Sequence, residues 1–147
     1  LNQRFRYFWH MATKKEITEK QKYFEGVGRR KTAVARVRFY PEGSSGFVVN
    51  GVDRKEYFHG LRLQKSAEGP LVSSSMKGGV EVKVFGGGEV AQAGAVSLGL
   101  ARALVKVNED LRKEFRVRGY LTRDSRMVER KKFGLKKARR APQWRKR

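Results

Sequence analysis

The sequence predicts an α/β fold, a sheet with a long helix buried against it, followed by a basic tail that stays outside the fold. Three observations carry this reading. Residues 33–40, AVARVRFY, alternate with the period of a strand, and residues 90–107, behind the triplet Gly86-Gly87-Gly88, mix small and large apolar residues as a buried helix does. The last eighteen positions, 130–147, hold ten Lys or Arg and no acid. Like charges at that density resist compact packing, so the tail is expected to stay extended until a polyanion receives it.

A chain of 147 residues that is 39% hydrophobic supports one domain plus extensions. The net charge of +21 is unevenly placed: residues 1–52 carry 11 basic and 4 acidic side chains, 53–115 carry 10 and 8, and 116–147 carry 14 and 2. The middle is an ordinary body, and both flanks are charged for a partner such as nucleic acid or an anionic membrane. Cysteine is absent, which removes disulfides, thiolate zinc sites and cysteine nucleophiles together and permits a reducing compartment. No apolar run approaches the roughly 18 residues of a membrane span, so the chain reads as soluble. Its N-terminus lacks the apolar core of a secretory signal.

Taken in order, residues 1–10, LNQRFRYFWH, are rich in Arg and aromatics, and Met11-Ala12-Thr13-Lys14-Lys15 reads as a natural beginning. Met11 is the expected start, with an acid-free organellar presequence as the rival reading. Residues 14–22 have little to bury and are expected as a mobile arm. Tyr23–Thr32 joins two glycines to the cations Arg29, Arg30 and Lys31. In the strand that follows, Ala33, Ala35, Val37 and Phe39 share one face, and Val34, Arg36, Arg38 and Tyr40 share the other. One face packs and the other points cations outward. The adjoining Arg29-Arg30-Lys31 favours an RNA-facing surface over a merely solvated one.

Pro41–Gly46 is a turn cluster, after which Phe47-Val48-Val49 reads as a strand ending in the turn Asn50-Gly51, and a β-hairpin is expected there. Asp53–Phe58 is expected as a short helix. Residues 59–79, rich in Gly, Ser and Lys with few apolar side chains, carry no assigned element. Val80–Phe85 alternates again, with Val80, Val82 and Val84 on one side, and reads as a strand. Gly94 and Gly99 fall within the long helix. Each glycine costs a helix about 1 kcal/mol relative to Ala, so two of them imply a close approach to the sheet. Asn108 is placed as an N-cap, Glu109 and Asp110 where a helix dipole favours anions, and Gly119 at the left-handed residue after the C-cap, giving a second helix over about 109–118. The expected divisions are a 1–22 extension, a 23–119 body and a 120–147 tail.

Few motifs compete with a binding role. Gly86-x-Gly88-x-x-Ala91 loosely matches a dinucleotide fingerprint, but a second helix follows where a second parallel strand ending in an acid is required. Gly26-x-Gly28 with Lys31 lacks the glycine that precedes the lysine of a phosphate-binding loop. His10 and His59, the two histidines, stand in no metal or catalytic frame, so neither a metal nor another cofactor is expected. Asp124 and Glu129 read as local salt-bridge partners. Phe133, Pro142 and Trp144, spaced through the tail's cations, suit a ligand that offers both phosphates and stacking faces, most simply RNA. A solvated tail or a localisation signal is the blander reading of the same run.

The stretches GVGRRKTAVARVRFYPEG, GEVAQAGAVSLGLARAL behind the glycine triplet, and LRKEFRVRGYLTRDSRMVERKKFGLKKARRAPQWRKR resemble the bacterial-type small-subunit ribosomal protein nine family. The resemblance covers about residues 23–58 and 80–147 in the family's order. Residues 59–79 look shorter than the family's usual helical segment. Ala141 stands where a third Arg is usual, and Trp144 and Arg145 stand where Phe and Ser are common. The resemblance implies an α+β sandwich in which helices pack on a mostly antiparallel sheet, as in the second domain of ribosomal protein five, lodged in the head of the small subunit. It implies rRNA contacts by Arg29, Arg30, Lys31, Arg36 and Arg38 of the body. Further rRNA contacts are implied for Arg123, Arg126 and Arg130, then Lys131, Lys132, Lys136, Lys137, Arg139 and Arg140 of the tail. Arg145, Lys146 and Arg147 match the family's end that touches P-site tRNA.

The resulting expectation is a structural ribosomal protein and not an enzyme, partnered by small-subunit rRNA, P-site tRNA and neighbouring head proteins, and not by membrane. It is placed on a cytoplasmic ribosome, with an organellar one left open. The alternative is a phosphate-handling enzyme of the small-molecule kinase kind, since a Gly-rich loop ahead of a helix also occurs there. Such an enzyme needs an acid or metal-binding group beside the loop, where only Glu89 stands near.

Overall fold

Alternation and turn chemistry account for most of the sheet in the computed structural model, which describes residues 22–43 and 46–145. The strands are β1 (Phe24–Arg30), β2 (Ala33–Tyr40), β3 (Phe47–Val49), β4 (Val52–Asp53) and β5 (Gly79–Phe85). The helices are α1 (Arg54–Tyr57), α2 (Leu61–Ser74), α3 (Glu89–Val107) and α4 (Leu111–Val117). The five strands lie in the order β1-β2-β5-β3-β4, antiparallel throughout except for β3 beside β5. The mostly antiparallel sheet with helices packed on it is therefore present. The extension over residues 1–21, the expected start at Met11 among them, lies outside the described residues.

All the inward positions of β2 that the alternation marked, Ala33, Ala35, Val37 and Phe39, are fully buried. They meet Val80, Val82 and Val84 of β5, Phe47 and Val49 of β3, and the inner face of α3. Asn50 and Gly51 take the left-handed conformations that a two-residue hairpin turn requires, at φ 51° and 86°. The turn is further pinned to β5. The Asn50 side-chain amide donates to the Val84 carbonyl at 2.9 Å and accepts from the Val84 N–H at 2.9 Å, as one more residue of the parallel ladder would.

β1 was not assigned from sequence, and its inward residues explain why. Gly26 and Gly28 present backbone alone to α3, where a Cβ at Gly28 would stand 2.5 Å from the Gly99 nitrogen and one at Gly26 2.7 Å from the Ala103 nitrogen. Gly99 answers from the helix side, since a Cβ there would lie 2.8 Å from Val37 Cγ2. The close approach read from glycines in the helix is thus completed by glycines in the strand. It carries a second consequence at the sheet edge. Arg102 Nη1 donates to the Val27 carbonyl at 2.6 Å and Lys106 Nζ to the Glu25 carbonyl at 2.7 Å, so two outward carbonyls of this edge strand have partners.

Residues 59–79, left without an element, hold the fourteen-residue helix α2. Its buried positions are Ala67 and Pro70, and Pro70 sits inside the helix itself, where a proline in the sequence reads as a break. At 19 residues α3 is long and apolar enough by composition to cross a membrane, which corrects the reading that nothing here has that length. Ten of its residues, from Ala91 to Leu104, are buried inside the protein. α4 starts two residues later than expected. Asn108 does not cap it; its Oδ1 accepts from the Asp110 N–H at 3.0 Å in the turn ahead of the helix. The expected left-handed glycine is in place at Gly119, φ 77°. Around it the Gly119 N–H bonds the Arg116 carbonyl and the Tyr120 N–H bonds the Phe115 carbonyl, with the Phe115 and Tyr120 rings edge to face at 5.8 Å.

Candidate nucleic-acid interface

The expected contact residues separate into cations with partners inside the protein and cations without. In β2, Arg36 forks onto Glu25 Oε1 at 3.1 and 3.0 Å, and Arg38 reaches Glu81 at 3.7 Å while lying over the Tyr23 ring at 5.0 Å. The Tyr40 hydroxyl donates to the same Glu81 at 3.1 Å. Burial, and then this bond to a carboxylate, push the Tyr40 pKa above its ordinary value. The face opposite the helices is therefore not the continuous cationic strip that the alternation of β2 alone implied. Arg36 and Arg38 share it with Glu25 and Glu81, with exposed Val48 and Phe85, and with one further cation, Lys83, opposite Arg36.

Successive residues of a strand face opposite ways, and this divides the cluster before β2. Arg29 is exposed, while Arg30 turns to the helix side, bonding the Val90 carbonyl at 3.2 Å and Asp124 at 3.5 Å. A Cβ at position 94 would stand 2.5 Å from Arg30 Cδ, so Gly94 provides the space in which Arg30 lies. Lys31 occupies the tight turn at φ 51° and is exposed. Neither Arg29 nor Lys31 has an ion-pair partner among the described residues.

Arg30 is also where the tail departs. Asp124 joins it to Arg126, which bonds both carboxylate oxygens at 3.0 Å and donates its own backbone N–H to Oδ1 at 3.1 Å. The Arg126 side chain, its N–H and the Arg30 charge hold the Asp124 carboxyl below the ordinary carboxylate range. Tyr120 fixes the preceding turn: its hydroxyl lies over Gly69 of α2 and meets Ser73 Oγ at 3.4 Å, and Arg118 donates to the same Ser73 oxygen at 2.7 Å. Between α2, α3 and this root runs a cleft of about 270 Å³ lined by Arg30, Lys65, Ser66, Gly94, Tyr120 and Asp124. Lys65 joins the basic group here. Sequence reasoning missed it because α2 had not been seen, although Leu63, Ala67, Pro70 and Leu71 carry the spacing that would have placed it on an exposed helix face.

Beyond the root the side chains of Arg123, Arg130, Lys131, Lys132, Lys136, Lys137, Arg140 and Arg145 are exposed and have no ion-pair partner among the described residues. Arg139 differs, since it forks onto Glu129 at 2.6 and 2.9 Å. Both local salt bridges expected for Asp124 and Glu129 are thus formed. Lys146 and Arg147 lie outside the described residues. At the glycine loop, Glu89 stands 3.6 Å from His59 Nδ1, and both are exposed.

A helix-backed sheet from whose side an acid-poor arm departs, with exposed cations along it, defines a class: an α+β protein carrying a polycationic arm. Comparison gives that class a family. A family model described as ribosomal protein S9/S16 matches residues 28–147. The chain is 51% identical over 123 residues to the small ribosomal subunit protein uS9 of Cytophaga hutchinsonii, covering 82% of this chain and 95% of that relative. This chain belongs to the ribosomal protein S9 family, a structural and non-enzymatic family, and is a constituent of the small ribosomal subunit in the bacterial-type cytoplasm.

Proposed function

We propose that the chain serves the small subunit by binding its rRNA through the arm, the arm's root and the β1–β2 turn, and that the end of the arm contacts P-site tRNA. The carrying observation is the density of exposed cations along residues 123–145, most of them without an ion-pair partner among the described residues, next to Arg29 and Lys31, while Arg36 and Arg38 of β2 face glutamates. Each phosphate neutralised releases condensed counterions, so such a surface has a steep salt dependence. The tRNA contact is supported by the resemblance of Arg145, Lys146 and Arg147 to the family's tRNA-contacting end, and Arg145 is exposed.

Removing these three residues is expected to leave the body folded and incorporated into the subunit, while P-site tRNA dissociates faster. The tRNA is held by other contacts as well, so the loss is at most about tenfold, or roughly 1.4 kcal/mol, and is largest at low magnesium. Dissociation rates from subunits carrying full-length or truncated protein measure it. Equal rates under all conditions would confine the arm to rRNA.

A further inference from the structure

Within the arm, residues 129–140 are closed on themselves. Glu129 and Arg139 form a two-point ion pair, and the Lys136 N–H donates to the Arg140 carbonyl at 2.7 Å. Between these closures Gly134 turns the chain at φ 74°, and Leu135 and Ala138 are half-buried. Phe133, the residue before the turn, is 99% exposed. Glu129 is the one acid in residues 125–147, and it is used to close the loop.

We infer that this clasped loop is a base-stacking site, in which Phe133 lies on the face of an unpaired RNA base while the neighbouring lysines meet the flanking phosphates. Phe133 does no work in the fold, since its ring touches solvent on all sides. A ring so exposed gains by being covered, and its surroundings select the cover. Lys131, Lys132, Lys136 and Lys137 would each lose hydration inside an apolar protein pocket, whereas a nucleotide supplies a π-face and a negative charge together. A paired base offers no free face, so the ligand is single-stranded. The clasp holds the ring and cations in one arrangement before RNA arrives, so less ordering remains to be done on binding. The inference rests on the reading that the arm is received by RNA, and adds to it a residue, a mode and a strandedness.

The test uses the full-length protein in a Trp144→Leu background, so that the other exposed aromatic of the arm does not report. The probes are an unstructured RNA 12-mer containing 2-aminopurine and the corresponding duplex. The expected result is quenching of the single strand, with binding about tenfold weaker for Phe133→Leu, little change for Phe133→Tyr, and no change in duplex affinity or salt slope. Glu129→Arg should weaken the quenching, and Glu129→Arg with Arg139→Glu should restore it. If Phe133→Leu binds and quenches as its parent does, the stacking site is wrong while RNA binding by the arm stands. If the parent binds neither probe, both readings fall. Unchanged quenching by Phe133→Leu combined with its exclusion from subunits would assign the loop to a protein neighbour and overturn the base assignment.

Discussion

Asp124 carries a negative charge between two arginines, and its effect follows from when that charge exists. A carboxyl held below its ordinary pKa contributes while it is ionised, so the contribution is present above the unfolded value near ~4 and is lost as pH falls toward the depressed one. The Arg126 amide, which donates to this carboxylate, should keep its bonded NMR shift down through pH ~4 and lose it only below. A midpoint at or above that value would mean that Arg126 does not hold Asp124 in solution. The same distinction between paired and unpaired charges separates the arginines of the body. Replacing Arg29 and Lys31 by Ala should flatten the dependence of log K for rRNA on log salt by roughly 0.7 to 0.9 per lost phosphate contact. The double change at Arg36 and Arg38 should flatten it less, because Glu25 and Glu81 already occupy those guanidinium groups. Equal effects from the two pairs would show that RNA displaces the glutamates.

Among the elements, the union of β1 with α3 is the least tolerant of change, because backbone meets backbone there. Gly28→Ala places a methyl against the Ala95 and Gly99 backbone atoms, which cannot swing aside as a side chain can. Overpacking of this kind is expected to cost about 3 kcal/mol, read as a drop in thermal midpoint, whereas an alanine at exposed Gly88, with open space around it, has no such overlap. An unshifted midpoint for Gly28→Ala would mean that helix and strand separate readily. These contacts also explain what was legible. β2, β5 and α3 announce themselves because each buries side chains at its own period. β1 buries glycines at every second position and so has an inward face with nothing to count. α2 turns Ala67 and Pro70 inward, and the parallel pairing of β3 with β5 joins residues separated by α1 and α2, beyond the range of local pattern. At the candidate interface, the cations other than Lys65 were plain in the sequence. Their glutamate partners were not, because Glu25 and Glu81 reach β2 from neighbouring strands on either side.

At the scale of the whole molecule, the charge that suits this protein to its subunit leaves it exposed before it gets there. A chain at +21 repels its own copies until it meets a polyanion, and any neutralising contact then brings sheet edges within reach of one another. One edge, β4, is only two residues long. The other, β1, runs for seven residues and would make a usable template, except that Arg102 and Lys106 have already taken the carbonyls of Val27 and Glu25. Their replacement together by Ala removes little from the core, since both side chains are exposed. With short RNA added to screen the charge, the double variant is expected to scatter light and gain cross-strand signal where the parent stays clear. Clear solutions from both would mean that the edge is guarded by other means. Two cations in a protein otherwise rich in them thus act as a quarantine, keeping newly made copies from seeding one another in the interval before assembly.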